Sequence, residues 1–133
     1  MNNNNQESPF GEVIYSYTRK QALANGVQVD VSTVAAEAGI KYPVFLTRAV
    51  FDAYVAVPEG LSGQDEAGRL WDIVCMLRFG IIRSRSGCER IPVALYVRND
   101  NSKPKLVKLV ATCNALDIDN PQPAITVMLP HED

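Results

Sequence analysis

Residues 62–82 run SGQDEAGRLWDIVCMLRFGII, and the spacing of their apolar side chains predicts the longest helix of the chain. Leu70, Val74, Leu77 and Ile81 recur at steps of four and three, which sets them on one side of an α-helix. Trp71 and Ile73 flank that stripe and widen it, while Asp65, Arg69, Asp72 and Arg83 fall mostly on the side expected to meet water. Ser62 and Asp65 approximate a capping box. Gln64, Asp65 and Glu66 bring acceptors and negative charge to the first turn, where the helix dipole favours them. Gly80 with Arg78, Arg83 and Arg85 marks the end. Gly68 costs roughly 1 kcal/mol in a helix interior, so it reads either as a close backbone approach or as tolerated variation. Four or five buried apolar side chains at roughly 1.5–3 kcal/mol each would make this helix the centre of the core.

Beyond this helix the period changes. Val93, Leu95 and Val97 alternate with Ala94, Tyr96 and Arg98, and Val107, Leu109, Ala111 and Cys113 alternate with Lys108, Val110 and Thr112. Asn99 to Pro104 is a strong turn signal between them. Asn114 to Pro123 reads as a loop, and Ile125, Val127 and Leu129 as a third strand. Before the helix, Met1 to Pro9 is asparagine-rich and reads as a disordered arm (1–9), and Glu12 to Tyr17 as a β-prone run. Thr18 and Gln21 form a capping box for a short helix stopped by Gly26. Val27, Val29 and Val31 alternate as a strand, Asp30 or Ser32 caps a second helix ended by Gly39, and Tyr42 to Leu46 is extended. Thr47 caps a third helix with a face of Val50, Phe51, Tyr54 and Val55. Helices first and strands last predict an α+β domain over 10–133, its helix at about 62–82 packed on a three-stranded antiparallel meander.

Composition narrows the function classes. A chain of 133 residues with 47% apolar and 21% charged residues suits one globular domain. The net charge of −2 predicts no strong pull towards nucleic acid or an anionic membrane. No signal peptide or membrane-length apolar run is visible, and three widely spaced cysteines suggest neither a disulfide framework nor a zinc site, so a reducing cytoplasm fits. No cofactor or metal is implied. His131, the single histidine, sits in what reads as a frayed tail, which makes a histidine-based triad improbable. Glu37, Asp52, Asp65, Glu66 and Asp72 form no evident catalytic pair, and Gly60 to Gln64 lacks the lysine of a phosphate loop. No catalytic residue is therefore nominated.

Two clusters remain. Tyr15, Tyr17, Arg19 and Arg48 are residue types common in protein-binding hot spots. Arg83, Arg85, Arg90, Lys103 and Lys105 would form a basic patch if the loop and the turn carrying them lie at one edge. Val13 to Ala22 followed by Gly26-Val27 and Val29 to Val31, Tyr42 to Val44 with Leu46 to Val50, Gly63 to Asp72 and Ile125 to Pro130 together resemble a family of small uncharacterised bacterial proteins of plasmids, integrated elements and phages. That resemblance implies a genetic context and no activity, and it carries over no catalytic residue. The leading expectation is a non-enzymatic factor that binds a protein partner. A nucleic-acid accessory factor using the basic loops comes second, and a small enzyme with an arginine, tyrosine and carboxylate site third.

Overall fold

Thr18 and Gln21 form the reciprocal capping box that their spacing predicts: the Thr18 hydroxyl accepts from the Gln21 amide at 2.9 Å and the Gln21 side chain accepts from the Thr18 amide at 3.0 Å. They open helix α1, Arg19–Ala24, in a computed structural model that describes residues 18–84 and 90–132. The expected arm, the Glu12–Tyr17 run, Arg85 and Cys88 lie outside the described residues. Gly26 and Gly39 both adopt positive φ after their short helices, as stop signals require. Between them come strand β1, Gln28–Asp30, and helix α2, Ser32–Glu37. The Asp30 carboxylate accepts from the Ser32 amide at 2.9 Å, whereas the Ser32 hydroxyl accepts from the Val44 amide at 3.0 Å and ties α2 to the next strand. That strand is β2, Val44–Thr47. Thr47 caps α3, Arg48–Val50, which passes into a π-helical turn over Phe51–Val55.

Helix α4 spans Glu66–Arg83, later at both ends than expected. Its cap is Asp65, whose carboxylate accepts from the Gly68 amide at 2.7 Å. Ser62 is not the cap, because its amide and hydroxyl both contact the Asn101 side-chain oxygen. Gly80 does not end the helix but lies inside its last turns. Strands β3, Arg90–Val97, β4, Lys105–Asp117, and β5, Asn120–Met128, follow.

The three strands form the expected antiparallel meander, within a larger sheet of five strands in the order β1-β2-β5-β4-β3. Strand β2 lies parallel to β5, with Phe45 opposite Thr126, and β1 pairs antiparallel outside it. Val44, Phe45 and Leu46 are all buried, as befits a strand covered on both faces. The expected Asn114–Pro123 loop is instead a hairpin that turns at residues 118–119. Pro121 and Pro123 are accommodated because β2 pairs with β5 only over 125–127, which among the described residues leaves β5 without a neighbouring strand on that side at the prolines.

Helices α2 and α4 cover one face of the sheet. Ile73, Val74 and Leu77 of α4 pack with Ile91, Val93, Leu95, Leu109, Ala111, Ile125 and Val127 in one core. The centre of the buried stripe is thus Ile73 rather than Leu70 or Ile81, which are only partly buried. On the other face α1 contacts β1 and β4, and the Arg19 guanidinium lies 4.2 Å above the Phe45 ring. The C-terminal segment is anchored rather than frayed: the Glu132 carboxylate accepts from the Thr47 hydroxyl and the Leu129 amide, both at 2.8 Å. His131 beside it is exposed.

Candidate interaction face

Helix α4 has a second apolar side. Trp71, Cys75, Phe79 and Ile82 recur at steps of four, four and three, the same rhythm as the buried stripe, but point away from the core. Trp71 is 42% exposed, Phe79 50% and Ile82 62%. Trp71, expected to widen the inward stripe, instead faces outward. Beside the helix runs β3, the last strand of the sheet, so among the described residues one side of its backbone has no strand partner. Tyr96 on β3 faces Leu106 on β4 in register, and these side chains are 68% and 51% exposed.

Two shallow hollows connect Cys75 and Phe79 of α4 with Tyr96 and Leu106 of the sheet. The first, of about 410 Å³, lies between Cys75 and Met76 on α4 and Ala94, Tyr96 and Leu106 on the sheet. The second, of about 380 Å³, lies between Phe79, Gly80 and Arg83 on α4 and Pro92 on β3. Both include Met76 and Ala94, so they form one groove along the helix and the edge strand. Its rim is charged, with Asp72 towards the start of α4 and Arg83 at its end. The Arg83 guanidinium lies 5.2 Å from the Phe79 ring centroid.

Arg69 and Arg19 are both committed to the fold. Arg69 was expected to face water but is only 5% exposed. Its guanidinium donates to the Val55 and Arg98 carbonyls at 3.2 and 2.8 Å, and to the side-chain oxygens of Gln64 and Asn99. Burial lowers its pKa from the ordinary arginine value. Arg19 donates to the Leu116 carbonyl at 2.6 Å, to Gln28 Oε1 at 2.9 Å and to Thr126 Oγ1 at 3.0 Å. Burial lowers its pKa too, opposed by the charges of Asp117 and Asp30.

Asp117 completes the Arg19 staple. Its carboxylate accepts from the amides of Ile118 at 2.8 Å and of Arg19 and Lys20 at 3.1 Å each. The Ile118 bond first, then the Lys20 and Arg19 amides and the Arg19 charge, outweigh partial desolvation and hold its pKa below the ordinary 3.8. A carboxyl depressed in the folded state stabilises above its unfolded pKa and loses that contribution as pH falls through the folded value. Asp117→Asn should therefore lower the urea midpoint at pH 7, and the gap from wild type should narrow as pH falls below about 4. A gap of constant size from pH 7 down to pH 3 would contradict this.

The other nominated residues separate. Tyr15 and Tyr17 lie outside the described residues. Arg48 donates to the Gly26 carbonyl at 2.8 Å, pairs with Asp52 at 3.5 Å and lies 5.2 Å from the Phe51 ring centroid. Arg83 and Arg90 sit at one end of β3, and Lys103 and Lys105 at the other, where Lys105 pairs with Val97. Eight residues of strand separate the two groups by roughly 25 Å, so Arg83 and Arg90 do not form one patch with Lys103 and Lys105. Arg85 lies outside the described residues.

The polar hollow at the start of α4, about 620 Å³ and lined by Gln64, Asp65, Arg69 and Asp72, is where an enzymatic reading would look. There Gln64 and Arg69 bond each other, and Asp65 caps the helix. Among the described residues no group of three or more histidine, cysteine or acidic side chains is placed to hold a metal ion. No helix among them is long and apolar enough to cross a membrane. Comparison of the chain with protein-family models, with curated proteins and with solved structures gave no match.

Proposed function

We propose that the protein is a non-enzymatic interaction factor that binds a protein partner through the α4–β3 face. The observation that carries this reading is the groove bordered by Phe79, Tyr96 and Leu106, with Trp71 and Ile82 exposed on the same helix beside it. Leaving large side chains in water forfeits roughly 25 cal/mol for each Å² of apolar surface that burial would remove. Soluble monomers seldom expose a contiguous patch beyond a few hundred Å², and larger ones tend to be binding sites. Two aromatic rings beside a shallow apolar groove with a charged rim also match the anatomy of protein interfaces. The resemblance to the family of plasmid, integrated-element and phage proteins supplies the genetic context of this reading, a bacterial mobile element. Free cysteines at Cys75 and Cys113 suit a cytoplasmic setting.

The test is affinity capture from native lysate with the tagged wild type and with Phe79→Glu. Phe79 is half exposed, so the variant keeps the core intact. A stoichiometric protein held by wild type and lost from Phe79→Glu is the expected result. Equal recovery of a captured protein by the two chains, or no protein retained by a chain that is itself monomeric, would overturn the reading.

A further inference from the structure

We infer that the partner on this face is a second copy of the chain, docked about a two-fold axis that crosses α4 midway between Asp72 and Arg83 and sets the two α4 helices antiparallel. The inference rests on the α4–β3 face being an interaction face. A two-fold contact needs a patch that is complementary to itself after a half-turn.

The apolar part of the patch meets that condition, because an antiparallel helix brings the same kinds of side chain back in reverse order. Charge adds direction. Asp72 and Arg83 are eleven residues apart, about three helical turns, so both lie along one line on α4 and both are exposed. The half-turn places each Asp72 carboxylate beside the other copy's Arg83 guanidinium, giving two ion pairs that flank the apolar centre. A parallel arrangement would instead set acid on acid and base on base. Antiparallel helices also oppose their dipoles favourably.

Area is sufficient. Phe79, Tyr96 and Leu106, which border the groove, are between 50% and 68% exposed, and Trp71 and Ile82 on the other flank of the same helix are 42% and 62% exposed. Side chains of this size bury on the order of 150–250 Å² each, so they leave on the order of 500 Å² of apolar surface per copy. With apolar atoms making up about 60% of a typical interface, two such patches correspond to roughly 1,600 Å² in total. That is the size of an ordinary specific complex. Opening the hollows at Met76 gives the facing Phe79 ring a place to insert, since residues 76 and 79 are equidistant from the proposed axis.

Sedimentation velocity of the full chain over a micromolar to sub-millimolar range tests this, with the single variants Asp72→Arg and Arg83→Asp and with the two combined. Wild type should form a dimer. Each single reversal turns two attractive contacts repulsive and should weaken association by about tenfold. The double variant should return towards wild type, because the swapped charges again face their opposites. Trp71→Ser should weaken association without reference to charge. A wild type that stays monomeric throughout, or a double variant no tighter than the singles, would overturn the inference. The lysate capture separates this from the broader reading: a monomeric chain whose captured partner is still lost in Phe79→Glu removes the dimer and keeps the face, whereas a monomeric chain whose captured protein is recovered equally by both removes the face itself.

Discussion

Replacing Arg69 by methionine should destabilise the fold by about 3–5 kcal/mol and lower Tm by roughly 10–20 °C. Methionine keeps most of the volume, so the loss measures hydrogen bonds rather than a cavity. The guanidinium joins three segments far apart in sequence: the end of the π-helical turn at Val55, the approach to α4 at Gln64, and the exit of β3 at Arg98 and Asn99. Those acceptors face a side chain that is 5% exposed, so several would be left without a donor in a place water reaches poorly. Each buried acceptor orphaned in this way costs about 1–3 kcal/mol. Set against a total stability of about 5–15 kcal/mol, the loss is a large share of what holds the domain folded. Arg69→Lys should recover only part of it, because one ammonium cannot span a planar fork of four acceptors. The acceptors are neutral carbonyl and amide oxygens, so the effect should be the same at pH 5 and pH 8. Thermal and urea denaturation followed by circular dichroism measure it. A methionine variant within 1 kcal/mol of wild type would show that the acceptors find water instead.

Arg69 also marks where sequence reasoning ran out. Helical spacing tells which residues share a side, but not what stands across from them. Arg69 sits among Gln64, Asp65 and Asp72 and so looks solvated, yet the groups that bury it come from positions 55, 98 and 99. The signals that held were local ones. The Thr18–Gln21 box, the glycine stops at Gly26 and Gly39, the Thr47 cap and the alternation of Val93, Leu95 and Val97 each depend on neighbours within a few residues. The place of β2 beside β5 is non-local, although the unbroken run Val44-Phe45-Leu46 already had the composition of a strand buried on both faces. The prolines at 121 and 123 suggested a loop because a chain read alone does not show which side of a strand is unpaired. The candidate face was legible in part: Trp71, Cys75, Phe79 and Ile82 have helical spacing of their own, and a helix apolar on two sides asks for a second partner. What sequence could not supply was the edge strand beside them, which turns an exposed stripe into a groove.

That groove depends on how closely α4 approaches β3, and Gly80 sets the distance. A β-carbon at Gly80 would meet the Pro92 carbonyl oxygen at 3.0 Å and the Ile91 Cγ2 at 3.1 Å. Neither can yield cheaply, since one is backbone within the sheet and the other belongs to a buried side chain. Gly80→Ala should therefore push the helix off the strand at an overpacking cost of about 1–3 kcal/mol. Alanine returns at most about 1 kcal/mol in helix propensity, so the net loss should be about 1–2 kcal/mol. Gly68→Ala is the matched control, because its β-carbon would also come within 3.0 Å of a neighbour. There the neighbour is the exposed Asp65 carboxylate, which can rotate away at the expense of its cap bond to the Gly68 amide. Loss of a cap, about 1 kcal/mol, roughly cancels the propensity gain, so this variant should stay near wild-type stability. Two substitutions of the same chemistry in one helix thus separate backbone approach from propensity. Urea midpoints that fall at position 80 and hold at 68 support the close contact, and equal shifts at the two positions would refute it. Because α4 and β3 together form the groove, Gly80→Ala should also weaken whatever binds there, even though position 80 adds no charge and removes no apolar side chain from the face.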